Sequence, residues 1–452
     1  MRHVELIKNV ERDFAVTPDQ IKKVIRDFHS EMREGLSGQK SSLKMIPTYV
    51  ERPKGAEKGT FIALDLGGTN FRVLALELKG NRTSEILFSK KAVLRKDVIT
   101  ASGRKLFDFM AHSVKKIIKI HATEPDKTRN IGFTFSFPIK QTGINSGTLI
   151  GWTKGFTAGG VRGKDVVRLM NSAFRRAGLP NAKIVAITND TVSTLVSKSY
   201  EDPACDVGVI LGTGTNACYC EKVKNITKSR FANFTAGEML INIEWGNFNK
   251  LRLTPYDRLI DKFSKNPGKQ LLEKMVSGMY LGEIVRVVLK EMSERGAIFR
   301  KTDKTALNKK DGFKTEYISA IENDSTKELY HVNDILKTIG VSKSLYSDRK
   351  AVRRICRAVS KRAARLGAAA IAAVVTKIDP RLLKPHTVAI DGSLYEKHAG
   401  FSRDIRHALC EVFPTAVRKS GIKISLTKDG SGKGAAVIAA IVKNARDRVA
   451  RD

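Results

Sequence analysis

Two apolar runs flank a glycine-rich turn in the stretch Phe61-Ile62-Ala63-Leu64-Asp65-Leu66-Gly67-Gly68-Thr69-Asn70-Phe71-Arg72-Val73-Leu74-Ala75-Leu76-Glu77-Leu78. Each run has the length and composition of a β-strand, so the stretch predicts a β-hairpin. Glycines without side chains let backbone N–H groups converge on one point, where they can bind phosphate oxygens. Glycine turns are also common in hairpins that bind nothing, so this turn alone leaves both interpretations open.

A second hairpin of the same kind is predicted further along the chain. The apolar run 207–211 leads into Gly212-Thr213-Gly214-Thr215-Asn216, and 217–220 resumes a strand. Both turns contain glycine, threonine and asparagine in that order, which we interpret as a weak internal repeat. The 452 residues exceed what one hydrophobic core usually supports, roughly 250–300. The sequence therefore predicts two lobes, each opening with a hairpin whose turn faces a shared cleft.

The remaining segments alternate between short strands and helices. Thr17 followed by Pro18 predicts a helix start, and further strands are expected at 131–137 and 184–187. We expect a helix over 193–200 and a long one over about 348–375, whose basic residues are more typical of a solvated face than of an anion-binding surface. Residues 300–314 are expected to form a polar, basic surface loop.

The composition bounds the class of protein. Lys and Arg total 81 against 46 Asp and Glu, a net charge of +35, which favours anionic ligands such as ATP and could support binding to nucleic acid or a charged surface. No apolar run approaches the roughly 18–20 residues of a membrane span, and the first residues lack a signal-peptide core. The eight histidines and five cysteines show no zinc or redox spacing, and no Gly-x-Ser-x-Gly elbow occurs. We therefore expect a cytoplasmic protein with neither hydrolase nor zinc chemistry.

Polar side chains suited to a polyhydroxylated ligand follow several predicted strands. Asn189-Asp190 comes directly after the run 184–187, where a carboxylate could act as a base. Asn242 and Glu244 alternate, so on a strand they share a face. Gln270 and Glu273 are three apart, so on a helix they also share one. Taken alone, Asp190 is more typical of a helix N-cap, and each pair is more typical of a surface or capping role.

Two further glycine clusters are candidates for anion binding. Asp391-Gly392-Ser393 follows an apolar run, and 429–434 precedes an alanine-rich helix. Free N–H groups at a helix N-terminus favour anions. The second cluster is not a P-loop, because Gly434 follows Lys433 where a P-loop requires Ser or Thr.

The ordered set of motifs resembles the eukaryotic hexokinase family over nearly the whole chain, from Thr17 to Ala440. The segments that carry the resemblance are 64–73, 132–138, 152–156, 189–191, 212–219, 266–268, 273–275, 277–280, 391–395 and 430–436. The chain departs from the usual family residues at Ile139, Asn247, Asn249, Ala399 and Lys428, which leaves sugar preference open.

The resemblance implies an α/β protein of the actin-like ATPase (ribonuclease H-like) fold, with two lobes around a cleft. It implies transfer of the γ-phosphoryl group of ATP to the 6-hydroxyl of D-glucose, and also of mannose and fructose, as the first step of glycolysis. The implied cofactors are ATP and Mg²⁺, with no protein metal site beyond a water-mediated contact from Asp65. The implied catalytic residues are Asp190, as the base, with Lys154 and Arg72.

The same resemblance assigns the binding residues. Those implied for the sugar are Ser136, Phe137, Thr153, Lys154, Asn189, Asp190, Asn216, Asn242, Glu244, Gln270 and Glu273. Those implied for the nucleotide are Asp65, Gly67, Gly68, Thr69, Asn70, Arg72, Thr213, Gly392, Ser393 and Ser431.

We expect two parts in the chain. Residues 1–196 form the N-terminal part, with a small-lobe core over about 59–190, and 197–452 form the large lobe. The N-terminal helix is expected to pack on the large lobe, and the last ~20 residues to return to the small one. The expected partners are a hexose and ATP, without membrane insertion or nucleic acid, in a monomer or homodimer. Two alternatives stay open: a catalytically weak glucose sensor or scaffold, and an added anionic-surface or nucleic-acid binding role.

Overall fold

The computed structural model describes residues 2–67, 70–121, 129–229, 231, 234, 236–300, 305–418 and 421–449. Gly68 and Thr69 of the first glycine turn lie outside the described residues. The strands are β1 (Ile46–Pro47), β2 (Lys58–Leu66), β3 (Asn70–Lys79), β4 (Ser84–Val93), β5 (Arg129–Phe135), β6 (Ile139–Gly143), β7 (Ser146–Leu149), β8 (Ala182–Thr188), β9 (Cys205–Leu211), β10 (Thr215–Lys222), β11 (Glu238–Asn242), β12 (His386–Asp391) and β13 (Ile422–Leu426).

Helices connect and cover these strands. They are α1 (Arg2–Phe14), α2 (Pro18–Ser37), α3 (Lys96–Ile99), α4 (Gly103–His121), α5 (Val166–Arg176), α6 (Asp190–Glu201), α7 (Pro255–Lys262), α8 (Leu271–Val276), α9 (Gly278–Glu294), α10 (Thr315–Glu322), α11 (Tyr330–Thr338), α12 (Tyr346–Ile378), α13 (Ser393–Lys397), α14 (Ala399–Val412), α15 (Pro414–Arg418) and α16 (Gly430–Val449). Among the described helices, none combines the length and apolar character that a bilayer crossing requires.

Two sheets repeat one topology. The first runs β4-β3-β2-β5-β8, in which β2, β3 and β4 are antiparallel neighbours while β5 and β8 add in parallel. The second runs β11-β10-β9-β12-β13 with the same pattern, and β1 extends its β11 edge. The two predicted hairpins, β2–β3 and β9–β10, occupy equivalent places. This duplication, with a lobe built on each sheet, is the actin-like α/β fold expected from the sequence.

Helices α6 and α16 lie between the two sheets. Helix α16 packs on β2, β3, β5 and β8 of the first sheet, whereas α6 packs on the second sheet and against α16. The other face of the first sheet is covered by α4 and α5. The backbones come very close where the helices meet, since a Cβ added to Gly434 would lie 1.9 Å from the Ser193 carbonyl oxygen. Glycine is required there by packing rather than by an unusual φ.

Local signals in the sequence located several element boundaries. Thr17 caps α2 by accepting a hydrogen bond from the Gln20 backbone N–H, and Pro18 opens the helix, as predicted. Helix α6 begins at Asp190 rather than at Ser193, because the strand β8 ends at Thr188 and leaves one capping residue between them.

The long basic helix α12 differs from the prediction of a solvated face. Arg362 is 2% exposed, and its two terminal nitrogens donate to Asp257 over 2.6 and 2.9 Å. Arg365 likewise pairs with Glu411 at 3.0 Å. Neighbouring helices α1, α2, α9, α10 and α14 surround α12, and buried cations require acidic partners. The prediction of a solvated face is therefore wrong for these arginines.

The segment expected as a surface loop over 300–314 is partly buried. Residues Thr305–Asn308 form a 3₁₀ turn that places Leu307 in the core, and Phe313 is also buried. Residues 301–304 lie outside the described part of the chain. The charges of this segment predicted a fully exposed loop, but Leu307 and Phe313 bury their side chains and fix it to the core.

Candidate active site

A cleft of about 2340 Å³ lies between the two lobes and collects most of the side chains singled out in the sequence. Those that line it are Asp65, Gly67, Ser136, Phe137, Thr153, Lys154, Asn189, Asp190, Thr213, Asn216, Asn242, Glu244, Gln270, Glu273, Gly392, Ser393 and Ser431. Asn70 and Arg72 lie on β3 outside this lining.

Asp190 stands at the first position of α6, where the strand β8 reaches the cleft. The helix cap is Asn189, whose Oδ1 accepts from the Val192 backbone N–H at 2.9 Å, so the N-cap alternative for Asp190 is wrong. The Asp190 carboxylate accepts a hydrogen bond from the Thr191 N–H at 2.9 Å. Burial raises its pKa above the ordinary value, and the nearby Lys154 charge opposes that rise. The residue is thus a carboxylate with raised proton affinity that faces the cleft.

An amide and carboxylate network faces Asp190 from the second lobe. Asn216 Nδ2 donates to Asn242 Oδ1 at 2.8 Å and to Glu244 Oε1 at 3.1 Å. Asn242 Nδ2 also donates to Glu244 Oε1, at 3.0 Å. Although β11 ends at Asn242 and Glu244 follows it, the two side chains meet on one side, as their spacing predicted. These mutual bonds hold the three polar groups in fixed positions in the cleft wall.

Glu273 and Gln270 line the same wall, but not as two residues of one helix. Glu273 lies in α8 and accepts from the Thr215 N–H at 3.1 Å, and burial raises the pKa of its carboxyl. Gln270 precedes the helix in a left-handed conformation, with φ 54°, and its side-chain oxygen accepts from Asn266. The helical spacing argument is therefore wrong for Gln270, and its backbone conformation brings it to the cleft instead.

Lys154 lies in a loop that an aromatic cluster supports. Its Nζ donates to the Ser136 carbonyl at 2.9 Å and lies 5.5 Å from the centre of the Phe137 ring. That ring packs edge-on against Trp152 at 4.9 Å, and Trp152 stacks on Phe156 at 5.3 Å. The cluster therefore holds the Lys154 ammonium at the rim of the cleft.

Three of the cleft residues implied for the sugar have left-handed backbones although none is glycine. They are Lys154 (φ 55°), Glu244 (φ 58°) and Gln270 (φ 54°). Such conformations cost of order 1 kcal/mol or more each and cluster at functional sites. All three place polar side chains in one cavity, so the strain coincides with the proposed ligand contacts.

The glycine-rich segments meet on the other side of the cleft. Ser431, in the first turn of α16, donates its hydroxyl to Asp65 Oδ2 at 2.7 Å. Arg72 pairs with Asp429, just before that helix. Gly392 has φ 127°, and a Cβ there would lie 2.4 Å from the Leu211 carbonyl oxygen, so only glycine fits.

The structure adds two carboxylates that the sequence analysis did not assign. Asp391 lines the cleft, and burial together with Asp190, Asp429 and Asp65 raises its pKa to about 6. Asp429 holds Arg72. The available signal was their place directly before the glycines of the two clusters at 391–393 and 429–434, much as Asp65 stands two residues before Gly67.

The charge of the cleft is opposite to that of the whole chain. Carboxylates outnumber cationic side chains among the residues that line it, although the chain carries +35. The basic excess therefore lies outside the cleft and does not by itself attract an anion there. Several carboxylates that raise one another's pKa suit a divalent cation, since hard oxygen donors are the ligands that Mg²⁺ prefers.

Comparison with known proteins adds to this geometry. Two family models, both described as hexokinase, match residues 6–200 and 206–441. The chain belongs to the hexokinase family. Members of this family are phosphotransferases that act on an alcohol group, and the resemblance of the motifs is confirmed.

Individual relatives of the hexokinase family match most of this chain. Hexokinase-3 of Rattus norvegicus is 40% identical over 445 residues, covering 96% of this chain and 47% of the relative. Hexokinase-1 of Homo sapiens is 40% identical over 442 residues, covering 95% and 47%. The chain thus spans about half the length of the curated relatives it matches. A solved hexokinase from Schistosoma mansoni, complexed with glucose, is 36% identical with a TM-score of 0.85 and covers 97% of this chain and 99% of its own.

Proposed function

We propose that this chain transfers the γ-phosphoryl group of ATP to the 6-hydroxyl of a hexose, giving hexose 6-phosphate and ADP. D-Glucose is the first candidate, with mannose and fructose as further acceptors. One observation is the main support for the proposal. Asp190, a carboxylate of raised pKa, lies in the same cleft as a fixed network of amides and carboxylates on the opposite wall. The proposal includes a role at the start of glycolysis, in the cytoplasm.

Asp190 is the proposed general base. A carboxylate whose pKa is raised takes up a proton more readily, which suits removal of the hydroxyl proton during attack on phosphorus. Lys154 lies close enough to act on the Asp190 charge, and its proposed role is to offset charge on the transferring oxygens. Arg72 is held by Asp429, so a direct contact with phosphate requires it to leave that pair or share it.

The sugar is held from both lobes. Asn216, Asn242 and Glu244 offer fixed donors and acceptors, and Glu273 and Gln270 extend this wall. Ser136 and Thr153 line the opposite side. A neutral ligand rich in hydroxyl groups can donate hydrogen bonds to these side chains and accept them, and it brings no further charge into the cleft. Contacts from both sides also favour closure around the sugar, which excludes water as a competing acceptor.

The proposed nucleotide site lies where the glycine segments meet, with Gly67, Thr213, Gly392, Ser393 and Ser431 in its lining. No group of three or more metal-ligating side chains occurs among the described residues. Mg²⁺ would therefore be held mainly by the ATP phosphates, with Asp65 and Asp391 as nearby oxygen donors. When bound with ATP it neutralises phosphate charge, and the protein groups orient the reactants.

A phosphorylation assay tests the proposal. ADP release should be measured with D-glucose, mannose, fructose and 6-deoxyglucose as a matched acceptor that lacks the reacting hydroxyl. We expect turnover with the first three and none with 6-deoxyglucose, which should inhibit competitively with glucose. Glucose binding without turnover on any hexose would instead support the sensor or scaffold alternative.

A further inference from the structure

A second pocket, of about 870 Å³, shares no lining residue with the cleft. It lies where the junction of α1 and α2 meets the helices α12 and α14. Seven of its lining residues are cationic: Arg353, Arg354, Arg357, Lys361, Arg362, Arg365 and Arg403. The proposed phosphoryl transfer uses none of them.

Some of these cations are neutralised by acidic partners and some are not. Arg354 pairs with Glu11 at 2.7 Å, and Arg357 pairs with Asp404. By contrast, no carboxylate of the described residues lies within ion-pair distance of Arg353, Lys361 or Arg403. Lys361 acts on the Glu411 carboxyl only from a longer distance, and Arg353 donates to the Asp324 backbone carbonyl at 3.1 Å. The pocket thus presents three positive charges that no carboxylate of the described residues holds in an ion pair.

A buried donor in the pocket also lacks a partner. Arg362 is 2% exposed, and its Nε has no hydrogen-bond acceptor among the described residues. Its terminal nitrogens are occupied by Asp257, and its guanidinium lies 4.4 Å from the centre of the Phe14 ring. Gly400, in the first turn of the 14-residue helix α14, adds backbone N–H groups at a helix N-terminus. The pocket wall therefore includes a cationic side chain whose hydrogen-bonding capacity the described residues do not fully satisfy.

We propose that this pocket binds a linear condensed phosphate of three or more phosphoryl groups. Arg353 and Lys361 are eight positions apart on α12, which is about 12 Å along the helix axis, and Arg403 approaches from α14. Cations spread along the pocket in this way suit a chain of linked phosphoryl groups better than a single phosphate. The strongly basic surface of the protein favours its approach.

The pocket has a physical connection to the cleft. Asp257, which holds Arg362, lies on α7, and the neighbouring Tyr256 and Leu259 of that helix line the cleft. Tyr256 stacks on Phe14 at 5.7 Å, so the same ring contacts both the buried arginine and the cleft helix. The binding proposal does not rest on the phosphoryl-transfer activity proposed above.

Calorimetric titration with sodium tripolyphosphate tests the proposal. The pocket variant is Lys361→Gln with Arg403→Gln, and the matched control is Lys350→Gln with Arg406→Gln, which removes the same charges from exposed positions on the same two helices. We expect the wild type and the control to bind with equal affinity and the pocket variant to bind at least tenfold more weakly. Thermal unfolding and the glucose KM should be unchanged in both variants.

Three results would overturn the assignment. Equal weakening in the pocket and control variants would mean that general charge, rather than this pocket, binds the anion. Inorganic phosphate that binds the wild type as tightly as tripolyphosphate would exclude a linear ligand. ATP that binds as tightly as tripolyphosphate, with the same loss in the pocket variant, would make the pocket a nucleotide site instead.

Discussion

Replacement of Asp190 by Asn tests the proposed base most directly, because the two side chains have the same shape. The Asn oxygen can still accept from the Thr191 N–H, which lies 2.9 Å from the carboxylate, and Asn189 remains the helix cap. The fold should therefore be unaffected, while the amide can no longer take up a proton. The comparison isolates proton transfer from binding.

The substitution should affect turnover much more than glucose binding. Loss of general base catalysis should lower kcat by roughly 10²–10⁴-fold, about 2.7–5.4 kcal/mol of transition-state stabilisation. Glucose should bind within about tenfold of the wild type, because a charged hydrogen bond is replaced by a neutral one, a difference of about 1 kcal/mol.

Rapid-quench single turnovers and equilibrium glucose binding measure the two quantities separately. Asp311→Asn is the matched control, since Asp311 is exposed in the cleft wall and its left-handed backbone, φ 58°, is tolerated by Asn. We expect this control to react at the wild-type rate. An Asp190→Asn enzyme that kept more than a tenth of the wild-type rate would show that another group removes the proton.

Three further predictions rest on single contacts. Lys154→Met removes the charge that opposes the raised pKa of Asp190, so the acid limb of the kcat/KM profile should move to higher pH, and an unmoved limb would contradict this. Gly434→Ala places a Cβ against a carbonyl of α6, so denaturant titrations should show a free energy of unfolding lower by about 1–3 kcal/mol. The control Gly151→Ala, with no atom within 4 Å of the added Cβ, should leave the free energy of unfolding unchanged. The hydrogen bond that His386 donates to Asp206 on β9 raises the pKa of the histidine. This pair therefore stabilises the fold fully below about pH 6.5 and loses that contribution as pH rises through the folded pKa. The stability deficit of His386→Gln should be larger at pH 6 than at pH 9, and the reverse trend would refute the assignment.

The two hairpins and their glycine turns were predictable because their signals are local. Strand composition and a turn that needs glycine both lie within a few neighbouring residues, and the structure places the hairpins at equivalent positions. Spacing predicted that Asn242 and Glu244 share a side, but most of the cleft lining was reached through the family resemblance. Gln270 is an example. Its spacing from Glu273 suggested that the two share a helix face, but the left-handed backbone of Gln270 rules out that helix, and the residue reaches the cleft in another way.

The sequence alone did not show which residues from distant segments form ion pairs or which residue caps a helix. Asn189 and Asp190 are both good capping residues, and the choice between them depends on where β8 ends. The basic face of α12 looked solvated because its acids, among them Asp257 and Glu411, come from distant segments. The acidic character of the cleft was likewise hidden by the net charge of the chain, because composition does not record where charges lie.

The packing of α16 on the first sheet affects how the protein is made on the ribosome. The strands of that sheet are complete once Thr188 has been synthesised, yet the apolar residues Ala435–Ile441 that cover one of its faces emerge much later. At ordinary translation rates of about 5–20 residues per second this interval is on the order of tens of seconds. During that time the nascent first lobe carries an uncovered apolar face, the kind of surface that chaperones hold. Stalled or truncated chains that stop before α16 should therefore aggregate even though every strand of the first sheet is present.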